Sequence, residues 1–317
     1  MLSAHPKDLH AVVIGAGTMG SDVAIVLARG GCRVTVVDPS GATRAKLQPH
    51  VLQALTTLGL ARRADAVTAV PALADASWSD VALVVECIPE NLALKQALFA
   101  QLVKLAPSGA VLASNSSSFP ISVIAQGLDS RQRMLGLHFF MPAHLVPLVE
   151  VVRGPDSDPD LADSLCAFMR GCGSVPVLVR KDKPGFLANR LQHALAREAF
   201  AMIDEGMASP EDVDAAVRFG FGFRFLAAGP ALQRDHAGLD VHCAAAATIY
   251  PSLSNALEPA YALQDRVSAG QLGMKTGSGF YDWPESRRLA ERARYDRLLQ
   301  QGLHLLAAEL PPIDTSF

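Results

Sequence analysis

The line GLHFFMPAHLVPLVEVV, residues 136–152, places His138 at the end of one apolar run and Glu150 inside the next. Between them Met141–Pro147 carries two prolines, and a return of the chain there brings the two side chains together. A neutral imidazole takes the proton of an alcohol as hydride leaves the carbon. A carboxylate on the far ring nitrogen fixes the tautomer and stabilises the imidazolium. By spacing alone His138 also reads as an ordinary core or surface histidine, and His144 is a local rival. The grouping His138, His144 and Glu150 matches no common metal-ligand spacing, so no metal is expected.

Other polar residues lie where such chemistry needs them. Ser114-Asn115-Ser116-Ser117-Ser118 follows the apolar run Ala110–Ala113. Its hydroxyls and amide suit a carboxamide or a substrate oxygen, or serve as a polar turn or helix cap. Asn189 and Arg190 fall in the first turns of a helix after Pro184-Gly185, where Asn189 either donates to a substrate carbonyl or caps the helix. Arg224, in the apolar stretch GFGFRFLAAGP, either pairs bidentately with a carboxylate or is a solvated or interface residue.

The elements that must position these groups begin at Val12. Val12-Val13-Ile14 reads as a strand buried on both faces. Gly15, Gly17 and Gly20 fill the G-x-G-x-x-G pattern: a tight turn, backbone room for a pyrophosphate, and close packing of helix on strand. A helix carrying Met19, Val23, Val26 and Leu27 follows, its N-terminus free for phosphate, then a strand Arg33–Val37 ending in Asp38. Gly15, Gly17, Thr18, Met19, Gly20 and Asp38 are the expected cofactor contacts. Asp38 suits ribose hydroxyls and repels a 2′-phosphate, so NAD is expected rather than NADP.

Further runs at Val81–Val85, Ala110–Ala113, Met134–Phe139, Leu148–Val152 and Val175–Val179 read as strands, with helices at Leu92–Leu105 and Leu161–Arg170. This alternation predicts an α/β, mainly parallel, doubly wound sheet. From Phe186 onward Ala- and Leu-rich helical stretches replace it, giving an NAD-binding domain over 1–183 and a smaller all-helical domain over 184–317. Half the residues are hydrophobic, and the surplus hints at a subunit interface. A net charge of −3 with only paired basic residues argues against nucleic acid. No apolar stretch suffices for a membrane span, and the first residues lack a signal-peptide or transit character. Five cysteines with no C-x-x-C pair read as reduced thiols of a cytoplasmic protein.

Together GAGTMG, ECIPENLALK, SNSSS, GLHFFMP…LVEVV, KDKPGFLANRL and GMKTGSGFY resemble the L-3-hydroxyacyl-CoA dehydrogenase family, in family order from residue 12 to about 283. The resemblance implies a Rossmann-type domain, a helical domain forming much of a homodimer interface, and a substrate cleft between them. It implies His138 as base, Glu150 as its partner, and Ser117 and Asn189 on the reacting oxygen. Glu90, Lys95 and Asn115 flank the nicotinamide end, with Lys275 a weaker cofactor contact.

Three departures bear on the substrate. Met141 stands in HFFMP where the family usually has Asn. The segment from Pro39 to Ser79 is shorter than in fatty-acid-oxidising members, whose projecting helix pair contacts CoA there. GFGFRFLAAGP looks more like the branch acting on small free acids, such as gulonate and carnitine dehydrogenases. Arg44, Lys46, Arg62 and Arg63 remain in the shortened segment for CoA phosphates. The leading expectation is NAD-dependent oxidation of an L-3-hydroxyacyl-CoA to its 3-keto product, within fatty acid metabolism. The alternative is the same chemistry on a free hydroxy acid, including pyridine carboxylates, held by Arg224. An idle NAD-binding sensor or structural protein is the remote rival.

Overall fold

In the computed structural model, which describes residues 2–315 of the 317-residue chain, the run before the glycine turn is strand β1 (His10–Ile14), buried throughout. The sheet continues with β2 (Arg33–Val37), β3 (Val67–Val70), β4 (Val81–Glu86), β5 (Val111–Ser114), β6 (Met134–Phe139), β7 (Leu148–Arg153) and β8 (Val175–Val179). Their spatial order is β3-β2-β1-β4-β5-β6-β7-β8. The order reverses between β1 and β4, so their C-terminal ends flank the crevice where doubly wound sheets bind ligands.

Alternate residues of β1 feed opposite cores, as the two-residue strand repeat requires. Ala11 and Val13 join the apolar cluster under helices α1 (Thr18–Arg29) and α2 (Gly41–Thr57). Val12 and Ile14 join the cluster under α3 (Leu92–Leu105) and α4 (Ile121–Ile124). Helix α5 (Pro159–Gly171) returns to the first face through Leu161, Leu165 and Phe168.

All strand pairs are parallel save β6 with β7, which run antiparallel with His138 opposite Glu150. A connection too short for a crossover helix imposes that reversal.

The segment 39–79 folds as the single helix α2, which buries Leu47, Val51 and Leu55, then a 3-10 turn at Ala61–Ala66 and β3. No projecting helix pair occurs among the described residues.

The chain divides into two compact units, Met1–Asn189 with Ala307–Phe317, and Arg190–Leu306. Residues 307–315, expected with the helical domain, thus group with the first unit. Ile313 lies over Gly173, where an added Cβ would stand 2.6 Å from its side chain, and Arg63 donates to the Asp314 carbonyl. The second unit takes most of α6 (Ala188–Asp204), then helices including Pro210–Ala216, Pro230–Ala237, Leu239–Ile249, Tyr261–Ser268 and Glu285–Leu305. Extended structure in it amounts to the isolated bridges Gly273↔Ser278 and Ser278↔Asp282. Among the described residues, no helix is long and apolar enough to cross a membrane.

Candidate active site

The antiparallel register sets His138 and Glu150 on facing strands, and Nδ1 of His138 lies 2.7 Å from Oε2 of Glu150. With Nδ1 committed to the carboxylate, Nε2 is the nitrogen left to accept a proton. Glu150 is fully buried, and its other oxygen accepts the N–H groups of Leu187 (3.0 Å) and Ala188 (2.8 Å) at the start of α6. Burial pushes its pKa up. The His138 hydrogen bond, the Ala188 N–H, the charge of His138 and the Leu187 N–H outweigh that and hold it below the usual carboxylate range. Two N–H groups at a helix N-terminus are suited to keeping a buried carboxylate ionised.

The imidazole is wedged between Phe140, edge-on at 4.6 Å, and Phe186 at 5.5 Å. Phe186 is buried with φ +48°, a left-handed backbone unusual for a bulky residue. Such conformations persist where surrounding structure over-determines them. The signal in the sequence is the turn Lys183-Pro184-Gly185 before it; the ring's contact with His138 is tertiary.

The glycine turn is shaped for a dinucleotide. Gly15 has φ +100°, and an added Cβ there would meet the Cys87 carbonyl oxygen at 2.8 Å. A Cβ on Gly20 would stand 1.8 Å from the Gly15 oxygen, so helix and turn meet at a distance glycine alone permits. Gly17, the N-cap of α1, is exposed, makes no side-chain cap, and would place a Cβ in open space. That leaves the first N–H groups of α1 to phosphate oxygens, so these residues fit NAD. Thr18 is exposed and Met19 half-buried in the same turn. Asp38 braces the turn through 2.8 Å hydrogen bonds from the N–H groups of Ala16 and Ser40.

At the β4 end, Glu86, which the sequence reading missed, is fully buried and accepts from Lys95 Nζ (2.7 Å), Ser114 Oγ (2.6 Å) and the Ile88 N–H (2.8 Å). An acid closing an apolar strand, as Asp38 does, was the available signal. Lys95 also lies 3.1 Å from Glu90 but is itself buried. Glu90 accepts from Ser116 Oγ (2.5 Å) and Ser118 Oγ (2.6 Å). Burial pushes the Glu90 carboxyl up, and hydrogen bonds from Ser116 and Ser118 with the Lys95 charge overcome it, bringing it to about 2. Asn115 accepts from the Phe139 N–H at 2.9 Å, tying the serine loop to the end of β6. Ser117 is exposed beside it, and Asn189 is half-buried in the first turn of α6.

In the second unit Lys275 is exposed, and Arg224 lines a cavity of about 430 Å³ with Arg234, His236 and His242. The shortened segment offers CoA less than its composition suggested. Arg63 is buried, donating to the Arg29 and Asp314 carbonyls, and Arg44 donates to the Asp38 carbonyl at 2.6 Å. Lys46 and Arg62 remain exposed.

Comparison with known proteins covers nearly the same span. Residues 10–183 match the NAD binding domain of 3-hydroxyacyl-CoA dehydrogenase, and residues 185–283 its C-terminal domain. The 5-formyl-3-hydroxy-2-methylpyridine 4-carboxylate 5-dehydrogenase of Mesorhizobium japonicum is 34% identical over 290 residues, 89% of this chain and 94% of that protein. A solved structure of a dehydrogenase of that name, described as an NAD+-dependent dismutase, has a TM-score of 0.88 at 31% identity, covering 95% of this chain and 99% of that one. A (S)-3-hydroxybutyryl-CoA dehydrogenase from Ralstonia eutropha has a TM-score of 0.71 at 29% identity, covering 88% and 100%.

Proposed function

The chain belongs to the 3-hydroxyacyl-CoA dehydrogenase family, and from that premise we propose that this NAD-dependent oxidoreductase oxidises the hydroxyl of a small substrate bearing a free carboxylate. The observation that carries the chemistry is the 2.7 Å contact of His138 Nδ1 with Glu150, which leaves Nε2 for the alcohol proton. His138 accepts that proton, and Glu150, held by two backbone N–H groups, stabilises the imidazolium. Ser117 and Asn189 donate to the reacting oxygen. Gly15, Gly17, Thr18, Met19, Gly20 and Asp38 hold the cofactor's phosphates and ribose, Glu90, Asn115 and Lys95 shape its nicotinamide end, and Lys275 is a further contact. Bound NAD supplies the hydride acceptor.

For the free acid, three observations converge: α2 is a single packed helix, Arg44 and Arg63 are engaged within the protein, and Arg224 lines a cavity rich in basic groups. A guanidinium holds a carboxylate bidentately, whereas a thioester offers no charge. A second reading, a 3-hydroxyacyl-CoA in fatty acid metabolism, is favoured by the family and by exposed Lys46 and Arg62. The screen that separates them follows NADH absorbance with 3-hydroxybutyryl-CoA beside free hydroxy acids and hydroxymethyl aromatic acids. Free-acid turnover well above the thioester rate is expected, and the reverse ranking overturns the assignment.

A homodimer is part of the reading, supported by exposed Phe219, Phe223, Leu239, Val241, Tyr250 and Leu257 in the second unit. Five free cysteines support a reducing, cytoplasmic setting.

A further inference from the structure

On the α1–α2 side of the sheet, residues from three elements meet around one buried carboxylate. Asp22 is in α1, His50 in α2, and His144 in the loop between β6 and β7. The Asp22 side chain is 3% exposed, and its Oδ1 lies 2.8 Å from His50 Nε2 and 3.0 Å from His144 Nδ1. Its other oxygen accepts the Ala143 N–H at 2.9 Å, which fixes the carboxylate's orientation. His144 Nδ1 is shut off from solvent and makes no hydrogen bond, not even with the oxygen beside it. A buried ring nitrogen facing a carboxylate without a bond to it calls for an explanation.

We propose that Asp22, His50 and His144 form a binding site for one zinc-class divalent metal ion, with the remaining coordination position open to water. Zinc holds imidazole nitrogen and carboxylate oxygen at about 2.0–2.1 Å, which in a tetrahedron separates neighbouring ligand atoms by roughly 3.3 Å. The three ligand atoms already lie within 4.8 Å of one another, so small side-chain rotations suffice to admit an ion. Two imidazoles and a carboxylate suit zinc, nickel, cobalt or iron(II) over magnesium, which prefers an all-oxygen shell. The Ala143 N–H supplies the outer-shell bond that metal-ligating carboxylates need. His50, whose side chain is 42% exposed, provides the entry side.

An ion there would pin α1 and α2 to the loop between His138 and Glu150. None of the three residues has a part in the chemistry above, so this site stands or falls independently of the dehydrogenase reading.

The test titrates EDTA-treated full-length protein with zinc chloride by calorimetry and with cobalt(II) by visible absorbance, in a Cys243→Ser background that removes the exposed thiol. One equivalent per chain, a cobalt ligand-field spectrum and a raised melting temperature are expected. His50→Ala, on the exposed side of α2, should weaken zinc binding at least a hundredfold and abolish the thermal shift. Asp22→Asn should do the same, and should it fail to fold, His50→Ala still decides. Absence of zinc binding, or zinc binding unchanged in His50→Ala, overturns the site. Equal thermal shifts from magnesium and zinc overturn the ligand chemistry.

Discussion

The two units solve the burial problem differently. In the first, α1 buries every residue from Gly20 to Arg29, and α5 buries Leu161, Ala162, Leu165, Cys166, Phe168 and Met169. In the second, the helices Leu239–Ile249 and Glu285–Leu305 bury no residue, and the buried apolar side chains among its described residues are Val213, Ala228 and Ala262. The second unit is not poor in apolar residues; it exposes them, with Tyr250 at 70% and Leu257 at 97%. Since folding stability rests on apolar area removed from water, these exposed side chains are where the proposed homodimer contact belongs. In the proposed function the division has a meaning: the closed unit carries the proton-handling pair His138 and Glu150, and the open unit the exposed face assigned to the homodimer.

Four measurements press on that contrast. In the first unit a change at the site should cost chemistry and spare the fold. His138→Gln is expected to lower turnover roughly a thousandfold or more while NAD still quenches protein fluorescence, and near-normal turnover would remove His138 from its role. In the second unit a change on the open face should cost assembly. Val241→Arg places a charge on that face and should raise the dimer dissociation constant roughly a hundredfold, read by light scattering after size exclusion. An unchanged dimer would put the interface elsewhere. Arg224→Ala is expected to lower kcat/KM for a free acid about ten- to a hundredfold, mostly through KM, and to leave thioester turnover alone. Equal activity on the acid would remove the clamp.

The smallest effect concerns acid stability of the closed unit. The Glu90 carboxyl titrates lower folded, at about 2, than its ordinary 4.5. Its contribution is therefore complete above pH 4.5 and is lost as the pH falls toward 2. Glu90→Gln should flatten the stability profile across that window in urea melts at stepped pH, and a profile identical to wild type would contradict the network.

Much of the first unit was legible because its strands are apolar on both faces and its glycines carry steric demands. The run Val12-Val13-Ile14, the turn and Asp38 read directly, and the prolines between His138 and Glu150 announced a reversal. The strand β3, four residues with one buried, lacks such a signature, and α2, which carries Pro49 within its length, has only Leu47, Val51 and Leu55 buried. The supports of Glu150 were hidden for another reason. Leu187 and Ala188 act through backbone N–H groups, which leave no mark on residue type. Glu86 has a similar history, being one acid at the end of a strand until Lys95 and Ser114 close around it. The assembly of Asp22 with His50 and His144 spans three elements, with no spacing that links them.

The left-handed backbone at Phe186 carries a consequence for engineering. Glycine adopts such angles freely, and a bulky side chain there costs of order 1–3 kcal/mol. Phe186→Gly would relieve that strain, yet it removes a buried ring, a loss of about 3–5 kcal/mol by the measure of Phe→Ala changes, together with the contact 5.5 Å from His138. A selection for heat tolerance would therefore keep the aromatic ring here and tolerate its unusual backbone, because the burial outweighs the strain.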